Sequence, residues 1–322
     1  MALDSKQGNL AYDLMHKELD KVWAEVARVL TEGCFVCINI GDATRTIADR
    51  FRLYANHSRI TQAFVSLGFD VLPPIIWKKT TNAPNKFMGS GMLPAGAYVT
   101  LEHEYILIFR KGGKRRFVSE SDKAMRNASG FFWEERNRWF SDIWDIKGTR
   151  QKLSSYELRD RSAAYPFEIP YRFINMYSVY GDTILDPFVG TGTTMAAAVA
   201  TGRNSIGVEI ESAFLPLIEQ TVLQTVLPAN QKLKTRIACH LAFVAEYQAV
   251  KGIDKLKYTN HPHGFPVMTA QECGIKLWSV EDVTQLPDNS FCANYTVLGN
   301  PPIVPHMPHE SLSLFGDSHG YI

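Results

Sequence analysis

Apolar residues recur every three or four positions from 16 to 30, where Leu19, Val22, Trp23, Val26 and Leu30 share one stripe of a helix that Gly33 stops. The run "CFVCINI" (34 to 40) follows as a buried strand. Gly41 and Asp42 stand at its carboxyl end, where α/β folds place ligand sites. A second helical pattern covers about 57 to 67 and Gly68 breaks it, after which "DVLPPIIWKK" (70 to 79) and "EYILIFRKG" (104 to 112) read as strands. Between these strands, residues 80 to 100 are rich in Gly, Pro and Asn, the composition of a long functional or mobile loop. From about 112 to 150 the period is lost, and Lys and Arg interleave with Phe131, Phe132, Trp133, Trp139 and Trp144. From 168 to 225 an α/β rhythm returns. It runs as a helix at 171 to 180, a strand at 183 to 188, a helix through about 201, a strand at 204 to 210 and a helix at 212 to 226. Beyond 228 no clear period is visible, and the stretch from Asn300 onward has the Pro and His density of an irregular terminus.

At 322 residues the chain is long enough for two folding units, or for one large α/β unit with an accessory lobe. The 34 Lys and Arg against 33 Asp and Glu give a net charge of +1, so any nucleic-acid reading must rest on clustering. Cys34 and Cys37 have C-x-x-C spacing, but no second pair or histidine arm follows, and a strand turns them to opposite faces. No metal site is therefore expected. Free thiols, no cationic-then-apolar start and no run of membrane length point to a cytoplasmic protein with no membrane partner.

The strongest chemical signal is "LDPFVGTGTT" (185 to 194). Gly190 and Gly192 permit a sharp bend between strand and helix and the close approach of a ligand. Glu209 ends the next strand, placed to accept hydrogen bonds from ribose hydroxyls, as in dinucleotide folds. A nicotinamide dehydrogenase stays open at this point. Against it, the third glycine of G-x-G-x-x-G is absent, and Asp186 would repel a pyrophosphate while suiting a cationic ligand. S-adenosyl-L-methionine meets both demands.

The segment from Arg161 to Glu211, with its D-P-F-x-G-x-G-T-T core, resembles the DNA amino-methyltransferases of restriction-modification systems. The order of segments resembles their permuted β class: "ELDKVWAEVARVLTEGCFVCINIGDATRT", "GFDVLPPIIWKKTTNAPN" and "LEHEYILIFRKGGK" match its catalytic half, placed ahead of the cofactor half. The resemblance covers about residues 10 to 225. It implies an α/β, Rossmann-like, S-adenosylmethionine-dependent sheet with helices on both faces, in permuted order, plus a small target-recognition lobe. The implied division is a catalytic-half segment at 1–111, the lobe at 112–155, the cofactor half at 156–228 and an extension at 229–322. It further implies that Asp186, Pro187, Phe188, Gly190, Thr191 and Gly192 line the cofactor, that Glu209 holds its ribose, and that Ser162, Ala163 and Tyr165 wall its methionine end. Double-stranded DNA is the implied partner. "INIGD" and "HEYILIFRKG" lean toward cytosine-N4 rather than adenine-N6 transfer.

An exocyclic amine has its lone pair delocalised into the ring, and the family activates it with a Ser/Asp/Asn-Pro-Pro-aromatic loop that accepts its hydrogens and stacks the flipped base. In the β class that loop precedes the "ELDKVW" helix, and nothing ahead of residue 16 supplies it. Asn300, Pro301 and Pro302 offer one candidate, although Ile303 cannot stack as an aromatic would. The alternatives are a coincidental Pro-Pro together with a missing amino-terminal segment, or a complementary subunit that brings the loop. For contact with DNA, the basic residues Arg110, Lys111, Lys114, Arg115, Arg116, Arg136 and Arg138 are the expectation; the aromatics among them either stack on bases or form a core of their own.

Overall fold

The computed structural model describes residues 5–47, 49–79, 88–148 and 166–299. Its first half is a four-stranded sheet whose strands lie side by side in the order Phe35–Ile40, His103–Lys111, Phe69–Lys78 and Ile143–Asp145. Helix α1 (Ser5–Val29) begins well ahead of the predicted start and leads into β1 (Phe35–Ile40). A hairpin, β2 (Ala43–Ile47) and β3 (Arg50–Tyr54), precedes α2 (Asn56–Ser66). Then come β4 (Phe69–Lys78), the two short strands β5 (Met88–Gly89) and β6 (Ala97–Tyr98), and β7 (His103–Lys111). The register of β4 against β7 shifts between Leu72 and Ile75, where Pro73 and Pro74 have no N–H to give the ladder and the strand bulges.

Alternation along β7 builds a core on each face of the sheet. Ile106 and Ile108 point to one side, with Ile75, Trp77 and Trp144. Leu107 and Phe109 point to the other, where Trp23 of α1 and Ile60 and Phe64 of α2 cover them. The predicted stripe of α1 is the face that does this, since Leu19, Val22, Trp23, Val26 and Leu30 are buried or half-buried. Cys37 turns to the first face, where burial pushes its thiol up.

The stretch after β7 forms α3 (Glu120–Ala128), α4 (Trp133–Trp139) and β8 (Ile143–Asp145). Its aromatics mostly pack inward: Phe132, Trp139 and Trp144 are each buried. Strand β8 pairs in parallel with β4, which joins the end of this stretch to the main sheet. Helix α5 (Glu168–Tyr177) covers Trp144 with Phe173, the two rings lying 5.2 Å apart.

Strand β9 (Thr183–Asp186), helix α6 (Thr193–Ala200) and strand β10 (Asn204–Gly207) follow, with β9 and β10 parallel. Both strands end a few residues before the predicted points. The helix expected over 212 to 226 is a 3₁₀ turn (Ser212–Phe214) and then α7 (Leu215–Leu223). Helix α8 (Val226–Lys251) starts before the expected boundary at 228, so that boundary falls inside one helix. The remainder comprises β11 (Tyr258–Thr259), β12 (Pro266–Val267), β13 (Trp278–Gln285) and β14 (Phe291–Val297). Val280, Val283 and Tyr295 of the last hairpin pack against Val189 and Met195, which ties the carboxyl-terminal region to the glycine turn.

Glu168 joins α5 to α8 by pairing with Arg172 at 2.7 Å and with Lys232. Burial pushes its carboxyl up, but the two cations outweigh it and hold the group below its ordinary value of 4.5. A depressed carboxylate contributes stability above its unfolded value and loses it as pH falls through the folded one. Glu168→Gln is therefore expected to lower the unfolding free energy at neutral pH by about 1–2 kcal/mol. Urea titrations at a series of pH values should show the gap to the parent closing in acid.

Candidate functional site

The carboxyl ends of β1 and β9 lie on the same side of the molecule because their beginnings are held together. Arg115 pairs with Asp182, immediately before β9, at 2.6 Å. Its backbone also lies against Gly33, just before β1, so closely that a Cβ there would stand 2.6 Å from the Arg115 nitrogen. Phe35 at the start of β1 stacks on Tyr177 at 4.4 Å. At the other end Phe188, two residues beyond β9, meets Trp23 of α1 at 5.8 Å.

The glycine turn sits at that second end. Gly190 and Gly192 both have left-handed backbones, φ +55° and +85°, and open space lies where a Cβ of Gly190 would project. Asp186 Oδ1 accepts from the Phe188 N–H at 2.9 Å, which folds the chain back on leaving the strand. Glu209 fastens the turn to the neighbouring strand: its Oε2 accepts from the Gly190 N–H at 2.7 Å and its Oε1 from the Glu211 N–H at 3.0 Å. Gly207 contributes a close approach that the sequence did not announce, since a Cβ there would stand 2.4 Å from Val189 Cγ2. Two apolar side chains flank the carboxylates without cover: Phe188 is 51% exposed, and Ile210, beside Glu209, is fully exposed.

A polar group gathers at the carboxyl end of β1. Asp42, its side chain only 4% exposed, accepts from the His57 backbone N–H at 3.2 Å and holds His57 Nδ1 at 2.7 Å. The His57 ring stacks on Tyr105 at 4.0 Å, and burial followed by the Asp42 charge pushes that phenol up. Asn39 Nδ2 donates to Glu104 Oε2 at 2.7 Å, and Lys79 pairs with the other oxygen of the same carboxylate. Of this group the sequence pointed only to Asp42. His57, Glu104 and Lys79 converge from three other elements, and no local spacing links them.

Between these two clusters both strands have an open side. Among the described residues β1 is bonded only to β7, and β9 only to β10. All six residues of β1 are half-exposed in spite of the sequence Phe-Val-Cys-Ile-Asn-Ile, and Leu185 of β9 is exposed. A central apolar strand is expected to be buried.

The remaining sequence-predicted residues divide. Pro187 and Thr191 lie in the glycine turn with Asp186, Phe188, Gly190 and Gly192. Ser162, Ala163 and Tyr165, and likewise Asn300, Pro301 and Pro302, lie outside the described residues. The basic run closes β7 and follows it, beside the beginning of β1 and away from the glycine turn, and much of it has internal work. Arg110 pairs with Asp70 at 2.6 Å, Lys111 Nζ donates to the Ala27 and Leu30 carbonyls that end α1, and Arg115 holds Asp182. Lys114, Arg116 and Arg136 are exposed, the last with its guanidinium 5.7 Å from the Phe140 ring, and Arg138 is half-buried. Among the described residues no group of His, Cys, Asp and Glu is arranged to hold a metal ion, and no helix is long and apolar enough to cross a membrane.

Comparison with known proteins agrees with this geometry. A family model described as DNA methylase, covering N6 and N4 enzymes, matches residues 2–220. The Type II methyltransferase M.MthZI of Methanothermobacter thermautotrophicus is 50% identical over 290 residues, 90% of this chain and 80% of that protein. The Type II methyltransferase M.MjaI of Methanocaldococcus jannaschii is 54% identical over 211 residues, 66% of this chain and 68% of that protein. Among solved structures, a putative DNA modification methylase of Thermus thermophilus, TTHA0409, crystallised with S-adenosyl-L-methionine, superposes with a TM-score of 0.55 at 34% identity, over 67% of this chain and 79% of that one. The chain thus belongs to the N6/N4 DNA methylase family and is a DNA methyltransferase.

Proposed function

We propose that this methyltransferase binds S-adenosylmethionine at the Gly190 turn and transfers its methyl group to the exocyclic N4 of cytosine in duplex DNA, as the modification activity of a restriction-modification system. The observation that carries the reading is the Gly190–Glu209 clamp. An ionised carboxylate has about four acceptor positions. Glu209 spends one on each oxygen to fix the backbone, and the two that remain suit the paired hydroxyls of a ribose. Asp186 supplies negative charge close to the turn, where a sulfonium and an ammonium are welcome and a pyrophosphate is not. Phe188 and Ile210 offer uncovered apolar surface for a purine ring. Pro187 and Thr191 shape the wall between them, and Ser162, Ala163 and Tyr165 are proposed for the methionine end.

When bound, the cofactor supplies an electrophilic methyl carbon. The chain's own task is to hold it in line with an amine whose hydrogens are bonded elsewhere, so that the lone pair is directed at the methyl. No cysteine is required, and Cys37 packs against the Ile75, Trp77 and Trp144 cluster, where desolvation pushes its thiol up. The cytosine-N4 choice rests on the wording of "INIGD" and "HEYILIFRKG"; adenine-N6 transfer is the alternative.

A second reading is favoured by the open sides of β1 and β9: the chain holds cofactor and DNA, while the loop that orients the amine arrives on a further strand. Calorimetry with S-adenosylhomocysteine and with NAD tests the cofactor. Binding of the first and none of the second is expected, and the reverse would return the chain to the dehydrogenases. Labelled methyl transfer to DNA, followed by nucleoside chromatography, separates N4-methylcytosine from N6-methyladenine.

A further inference from the structure

We propose that the β2–β3 hairpin is a phosphate-contacting ledge for duplex DNA, with Arg45, Arg50 and Arg52 as its cations; the inference rests on the DNA methyltransferase reading above. The hairpin springs directly from Gly41 and Asp42, at the end of β1 that faces the glycine turn. Arg45 and Arg52 are cross-strand partners in its ladder, and Ile47 opposite Arg50 sets Arg50 on the same face two residues from Arg52.

Like charges placed directly opposite in an antiparallel pair are destabilising unless an anion lies between or beside them. Among the described residues no carboxylate is paired with any of the three. Arg45 donates to the Thr44 carbonyl at 2.8 Å and Arg52 to Asn9 Oδ1 at 3.3 Å, and none of the three is in an ion pair among the described residues. Arg45 and Arg50 are exposed, and the one acid within the hairpin, Asp49, stands at its tip. The same face lies against the start of α1, where a Cβ on Gly8 would stand 2.5 Å from Ile47 Cδ1. The first turn of α1 has no acidic residue, so its helix dipole adds to the positive field.

On the opposite face Phe51 stacks on Tyr98 at 4.2 Å with the rings nearly parallel, which locks this hairpin to the β5–β6 pair. The ledge is thus braced from both sides. A target nucleotide presented to the glycine turn must have its flanking phosphates at this end of the sheet, whereas the basic run after β7 lies at the other.

The test uses the full chain, a fluorescent duplex oligonucleotide and anisotropy titrations over a range of NaCl concentrations. Each phosphate contact contributes about 0.9 to the slope of log affinity against log salt. R45Q/R52Q is expected to reduce the slope by about 1–2 and to weaken binding roughly tenfold or more at moderate salt. Unchanged S-adenosylhomocysteine binding would show that the variant is folded. An unchanged slope in a folded variant, with the parent binding DNA normally, overturns the ledge alone. A slope that falls with K114Q/R116Q and not with R45Q/R52Q places the duplex at the other end and overturns it as well. Absence of duplex binding by the parent is the separate result that removes the DNA reading and the ledge with it.

Discussion

Glu209→Ala is expected to weaken S-adenosylhomocysteine binding by about two to three orders of magnitude, measured by titration calorimetry. Two losses combine. Hydrogen bonds to a charged group are worth about 1.5–3 kcal/mol each, and two ribose hydroxyls would lose theirs. The Gly190 N–H, now bonded to Oε2 at 2.7 Å, would also lose its acceptor, and with it the bond that holds a left-handed glycine in place across two strands. Glu209→Gln is the informative companion. The amide keeps one acceptor, but its NH₂ must face either the Gly190 or the Glu211 N–H, so it cannot restore the turn. It should therefore bind almost as weakly as alanine. Asp186→Asn should cost less, about tenfold, because the amide oxygen can still accept from the Phe188 N–H while only charge is lost. Near-parental affinity in Glu209→Ala would show that the ribose is held elsewhere.

The alternation that builds a two-faced sheet was visible in the sequence wherever the burial is two-sided. The runs at 34 to 40, 70 to 79 and 104 to 112 each have an apolar centre, and each becomes a strand of the main sheet. The glycine turn was equally legible, because a left-handed bend between strand and helix leaves few residue types to choose from. What the pattern missed has identifiable causes. The β2–β3 hairpin carries arginines in both strands and threonines in β2, and has only half-buried positions to mark its period.

Helix α8 was obscured differently. Its buried face runs through Leu233, Arg236, Ile237, His240, Phe243 and Val244, at helical spacing, but two members of the stripe are polar. Arg236 is matched by Glu135 at 2.6 and 2.8 Å, and His240 by Glu134 at 2.8 Å, both carboxylates being supplied by α4. Buried polar groups of this kind are tolerated only with their partners, and the partners lie about a hundred residues away in the chain. The same pairing explains why the aromatic stretch lacked a clean period: Glu134 and Glu135 sit at buried positions between Phe132 and Trp139. The polar cluster around Asp42 went unread for the same reason, since Asn39, His57, Lys79 and Glu104 meet only in the fold.

The largest effect expected is a gain. Fusing an apolar strand followed by Ser-Pro-Pro-Tyr ahead of α1 should raise labelled methyl transfer to DNA by about 10²–10⁴-fold, the range that a well-placed hydrogen-bonding catalyst supplies. The geometry favours this entry. Helix α1 runs back along β1, and its early residues are at the catalytic end: His16 lies 3.1 Å from Asn56, whose Nδ2 donates to the Gly41 carbonyl at 2.9 Å. A strand laid between β1 and β9 could thus end beside both Asp42 and the glycine turn before the chain enters α1. The carboxyl-terminal alternative starts from a less suitable place. Leu298 N–H donates to the Leu277 carbonyl at 2.9 Å, and Trp278, the partner of Val297, touches Tyr180 just ahead of β9. Tyr295 reaches the Val199 carbonyl at the far end of α6, a helix about 12 Å long whose other end carries Gly192. The last described residues therefore lie on the side opposite the turn. Replacing Pro-Pro by Ala-Ala in the fused segment should abolish the gain, while Asn300→Ala should leave it intact. Full transfer by the unfused chain, lost on Asn300→Ala, would instead make Asn300, Pro301 and Pro302 the amine-orienting loop and leave the space between β1 and β9 without a catalytic role.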